Sequence, residues 1–117
     1  MTGRALSQVH KLLFLIASKG RWRLVLPASD GRYATCVRAG PEMAAQQLAR
    51  KARHILAEHH LEGLVIVAPE DELDTLRGEL EALLVLVGVL AEDLYDMSDD
   101  ELGHVLDKAI HAPWPER

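Results

Sequence analysis

Three histidines and a glutamate fall within one short stretch, His54, Glu58, His59 and His60, and imidazole with carboxylate is the donor set of many zinc sites. Two ligands share a helix face when they stand four apart, as in HExxH, and no two of these histidines do. The stretch therefore predicts solvated or half-buried histidines and no metal. Asp93, Asp96, Asp99 and Asp100 offer oxygen ligands but lack the loop spacing of a calcium site. The single cysteine, Cys36, has no CxxC or Cys/His neighbour and closes no internal disulfide. It reads as a small packed residue in a reducing compartment. No GxSxG, P-loop or GxGxxG occurs, so neither an activated nucleophile nor a phosphate cradle is expected. No catalytic residue and no cofactor is predicted, and an enzyme is the least supported class.

Charge is the stronger signal. The chain carries a net −5, unevenly spread: residues 1–40 hold seven Lys and Arg against Asp30 alone, and the remainder holds six basic and seventeen acidic residues. A basic segment on an acidic body steers phosphates or another anionic partner. Arg21 and Arg23 lie two apart, so on a strand their guanidinium groups share one side, with Trp22 directed into the core on the other. Lys19 and Arg32 sit in or beside the flanking turns. Lys19, Arg21, Arg23 and Arg32 are the predicted nucleic-acid contacts, and replacing both strand arginines by Gln is expected to leave folding nearly intact. The competing expectation is a solvated strand face whose arginines pair with acidic helices.

The elements that position these residues follow from periodicity. "KLLFLIAS" (11–18) and "RWRLVLP" (21–27) are apolar runs across the turn Lys19-Gly20, which predicts two antiparallel strands. Ser29-Asp30-Gly31 leads into "RYATCVRA" (32–39), a third strand with Tyr33, Thr35 and Val37 alternating. At Gly40-Pro41 the period changes. Ala44, Leu48, Ala52 and Ile55 recur at helical spacing, predicting a helix that starts at Pro41 and ends near Gly63. "LVIVA" (64–68) has no alternation and predicts a strand covered on both faces. Pro69 with Glu70, Asp71 and Glu72 starts a second helix, with Leu73, Leu76, Leu80, Leu83 and Leu84 as its stripe. Within "LVLVGVLA" (84–91) that helix hands over to a strand, and Ser98 with Glu101 forms a capping box for a last helix.

The expectation is one α/β domain over residues 1–112 with a tail at 113–117. Its mixed sheet has about five strands: an amino-terminal three-strand meander, then α-β-α-β-α with helices packed on the sheet. No run reaches the roughly 18 apolar residues of a membrane span, and the opening stretch does not read as a signal peptide, which predicts a cytoplasmic protein without membrane contact.

Taken together, "FLIASKGRWRLV", "AQQLARKARHILAEHHLEGLVIVAPEDELDTLRGEL" and "EDLYDMSDDELGHVL" resemble the host attachment protein family, bacterial relatives of the central domain of the archaeal and eukaryotic peptide-chain release factor. The matching positions are Ala17, Gly20, Arg21 and Arg23, then Leu64 to Pro69, Leu76-Arg77, Asp93-Leu94, and Ser98 with Glu101-Leu102. The resemblance implies a release-factor-like fold and a link to translation. Two features depart from the family: an Asp usual near Ser18 or Lys19 is missing, and the long polar loop before the first long helix is nearly absent. The Gly-Gly-Gln loop that triggers peptidyl-tRNA hydrolysis has no counterpart, since Gln46 and Gln47 sit in a predicted helix without glycines, and release activity is not implied. Two functions are expected on these grounds. One is a non-catalytic domain that binds RNA or the ribosome through the basic meander; the other is a structural or oligomerising domain whose partner is a second copy or another protein.

Overall fold

The computed structural model describes residues 12–27, 33–81 and 86–111, with backbone alone at 107 and 109–111. Strands β1 (Leu12–Ser18), β2 (Arg21–Pro27) and β3 (Tyr33–Ala39) are followed by helix α1 (Ala45–Glu58), strand β4 (Gly63–Ala68), helix α2 (Glu70–Leu80), strand β5 (Leu86–Ala91) and helix α3 (Asp99–His111). The five strands form one sheet in the order β3-β2-β1-β4-β5. β1 pairs antiparallel with β2 and parallel with β4, β4 pairs parallel with β5, and β2 pairs antiparallel with β3. The predicted mixed sheet with its meander and alternating helices is the observed architecture.

Lys19 and Gly20 have φ of 54° and 80°, and Ser18 pairs with Arg21, so this is a two-residue hairpin turn that needs left-handed backbone at both central positions. The Glu72 carboxylate accepts the Lys19 backbone N–H with both oxygens, at 2.9 and 3.0 Å, tying the hairpin to the first turn of α2.

The sheet is covered on both faces. Leu13, Leu15, Trp22, Leu24, Leu64 and Ile66 face α1 and α2, which contribute Leu48, Ala52, Ile55, Leu76 and Leu80. Phe14, Ile16, Val25, Val65 and Val67 face the other way, onto Leu94, Tyr95, Leu102 and Leu106 of α3 and the segment before it. Every residue of β4 is buried, which is why its sequence shows no alternation: both parities bury apolar side chains.

Two helix boundaries and one strand register differ from the sequence reading. α1 begins at Ala45 rather than Pro41, because Gly40 to Ala44 form a turn closed by Met43 N–H to Gly40 O (3.2 Å), and the Gln47 side chain accepts the Ala44 N–H (3.0 Å). α1 ends at Glu58, where His60 takes a left-handed φ of 56° and stops the helix short of Gly63. In β3, Thr35 pairs with Val25 and Val37 with Leu24, leaving Cys36 as the extra residue of a β-bulge. The bulge breaks the expected alternation: Tyr33 lies on the α3 side and Val37 on the α1 side. Leu83, Leu84 and the tail at 113–117 lie outside the described residues.

Candidate functional site

Arg23 decides what the basic meander does. It is 1% exposed, and each of its side-chain nitrogens donates: Nε to Thr35 Oγ1 (2.8 Å), Nη1 to the carbonyls of Tyr95 (2.7 Å) and Met97 (2.6 Å), and Nη2 to Asp99 Oδ1 (2.7 Å). A buried guanidinium is tolerated when its donors are satisfied and a counter-charge stands beside it. Thr35 Oγ1 in turn donates to Asp99 Oδ1 (2.7 Å), and the Thr35 N–H to Asp99 Oδ2 (3.3 Å). Arg23, Thr35 and Asp99 thus close a polar triangle that fastens strand β3 to the start of α3. The Thr35 hydroxyl, more than the Arg23 guanidinium, holds the Asp99 carboxyl below its ordinary value, against the desolvation that would raise it.

The predicted interface changes accordingly. Arg23 points to the predicted side of β2, but the segment before α3 closes over it and engages its donors, so it presents nothing to a ligand. Arg21 stays at the surface. Its guanidinium lies 4.2 Å from the centre of the Tyr95 ring, its Nε donates to Ser18 O at 3.4 Å, and Nη1 stands 3.5 Å from Asp96 Oδ1, whose side chain is 82% exposed. Lys19 is exposed in the hairpin turn. Arg32 lies outside the described residues. Trp22 is buried on the opposite face, as its parity required.

Arg38, which the sequence reading passed over, approaches the same ring, 5.8 Å from its centre. It reaches that face because it pairs directly opposite Arg23 in the ladder, and residues opposite each other point to one side of a sheet. The bulge at Cys36 sets that register, and "RYATCVRA" alone carries no mark of it. Arg21 and Arg38 therefore form a cationic pair over Tyr95 at this end of the sheet, with Asp96 beside Arg21 and Lys19 exposed in the adjoining hairpin turn.

Among the described residues no group of three or more His, Cys, Asp or Glu side chains is placed to hold a metal. His54 stands 3.7 Å from Glu58 on exposed α1 surface, and His59 and His60 are exposed. Cys36, expected to be packed away, is exposed at the bulge. Its thiol donates to Leu24 O at 3.4 Å, and partial burial pushes its pKa up, the reverse of an activated thiolate. Ser98 and Glu101 form the predicted capping box: Ser98 Oγ accepts the Glu101 N–H (3.2 Å), and Glu101 Oε1 accepts the Ser98 N–H (3.1 Å). Gln46 and Gln47 are exposed residues of α1, and Gln47 caps its start. The helix that follows β4, at the strand end where α/β folds often bind phosphate, opens with Glu70, Asp71 and Glu72, whose charges oppose an anion there.

Among the described residues no helix is long and apolar enough to cross a membrane. No protein-family model matches the chain, and no curated protein matches it.

Proposed function

We propose that this is a non-catalytic, release-factor-like domain that contacts RNA phosphates through Lys19, Arg21 and Arg38. The observation that carries the reading is the placement of two guanidinium groups, Arg21 and Arg38, against one tyrosine ring, with the Asp96 carboxylate in reach of the first. Two like charges held together favour an anion that bridges them, and an exposed pair at 3.5 Å is weak enough for a phosphate to displace. Tyr95 is buried, so it orients the arginines and leaves no ring face for base stacking. Binding is then sequence-tolerant and driven by phosphate contacts.

The likeness to the host attachment proteins supports a ribosomal or other RNA partner. The α/β architecture is consistent with that likeness, and the separate motifs carry the rest. Capture of partners from lysate with and without ribonuclease tests the reading. RNA is expected in the eluate of the parent and depleted in that of an Arg21→Gln, Arg38→Gln variant. Equal RNA in both eluates, or none in either, would remove the proposal.

A further inference from the structure

A second surface lies on the other face of the sheet. Strand β3 is an edge of the sheet among the described residues, and an edge strand presents alternate N–H and C=O groups to whatever lies beside it. Next to it runs a groove of about 630 Å³ between β3 and α1, floored by Val37, Met43 and Ile55 and rimmed by Arg50, Lys51 and His54. The rim comes from one flank of α1: Gln47, Arg50, Lys51 and His54 follow at spacings of three, one and three, which brings them to one side of a helix. Among the described residues no carboxylate lines this groove, although the chain as a whole carries −5.

We propose that this groove receives an extended acidic segment of a partner protein, added as a strand beside β3, with one apolar side chain on Val37, Met43 and Ile55 and its carboxylates on Arg50 and Lys51. Three features select this occupant. Charge complementarity calls for acid, and the nearby Glu58 is turned to His54, at 3.7 Å on exposed surface. Among the described residues the lining contains no aromatic side chain, so a nucleic acid would find phosphate contacts there without a stacking platform. A second copy joined edge to edge, antiparallel through β3, would set two α1 flanks on the same side of the joined sheet and bring like charges together, which disfavours it. Strand addition also uses both halves of the site, the backbone edge for affinity and the groove for side-chain selection.

The test uses the full chain and two synthetic seven-residue peptides, one alternating Glu with Val and one alternating Lys with Val. Titration followed by amide chemical shifts should show the glutamate peptide binding, with shifts at Val37, Ala39 and along α1, and no binding of the lysine peptide. Arg50→Glu with Lys51→Glu should weaken the glutamate peptide at least about tenfold, since two attractive rim contacts become repulsive. The same change should admit the lysine peptide, a gain that a merely misfolded variant would not show. No binding of the glutamate peptide up to about 1 mM, equal binding of both peptides, or shifts confined to Lys19 and Arg21 would each overturn the proposal. The last outcome would place all anion binding at the arginine pair.

Discussion

Replacing Arg23 separates the two arginines that periodicity makes equivalent. Arg23→Met keeps the aliphatic stem and removes the guanidinium, taking its donors from the carbonyls of Tyr95 and Met97 and its charge from Asp99, which keeps only its two Thr35 donors. Hydrogen bonds to a charged group contribute about 1.5–3 kcal/mol each, and breaking a buried pair costs about 3–5 kcal/mol. Asp99 is 44% exposed at its side chain and regains water, while Tyr95 is buried, so the lower end applies, about 3 kcal/mol. At roughly 4 °C per kcal/mol for a domain of this size, Tm should fall by about 12 °C. Arg21→Gln loses a solvated ion pair and a ring contact, about 1 kcal/mol together, so Tm should fall by no more than about 4 °C. Thermal and urea unfolding followed by circular dichroism measure both. An Arg23→Met protein that melts within about 2 °C of the parent would refute the assignment of Arg23 to the interior.

The remaining predictions concern the same framework. Asp99 titrates below its unfolded value, so its contribution is complete above the ordinary carboxylate pKa of about 3.9 and is lost as pH falls through the folded value. Urea midpoints measured from pH 7 down to pH 2 should show a steeper acid loss for the parent than for Asp99→Asn, and parallel profiles would contradict this. Ile66 is 0% exposed in the central strand, and Ile66→Asp should cost several kcal/mol, about 4 or more; a variant with the parent's Tm would remove the layered packing. Ser98→Ala deletes the α3 cap and should lower stability by about 1 kcal/mol in urea titration, and an unchanged midpoint would show that the cap adds nothing beyond the Asp99 contacts.

Local signals were legible in the sequence, and long-range ones were not. The Lys19-Gly20 turn, the doubly buried β4 and the Ser98 box depend on residues within a few positions of one another, where turn chemistry, periodicity and capping act. The burial of Arg23 depends on acceptors 72 to 76 positions away, at the segment that the chain reaches only after β5. A strand arginine two residues from another looks solvated until that segment is placed over it. The Arg38 side is likewise invisible, because one bulge residue at Cys36 reverses the parity of everything after it in β3. Helical spacing puts Arg50, Lys51 and His54 on one flank of α1. That they border a groove follows only from the position of β3.

The proposed RNA contact rests on Arg21 and Arg38 acting as phosphate ligands, and salt dependence tests that most directly. Affinity for a labelled single-stranded RNA should be measured across a series of salt concentrations for the parent and for Arg21→Gln with Arg38→Gln. The slope of log affinity against log salt should be shallower by about two in the variant, roughly one per lost phosphate contact, with its Tm close to the parent's. Identical slopes, or no binding by the parent at low salt, would contradict the account.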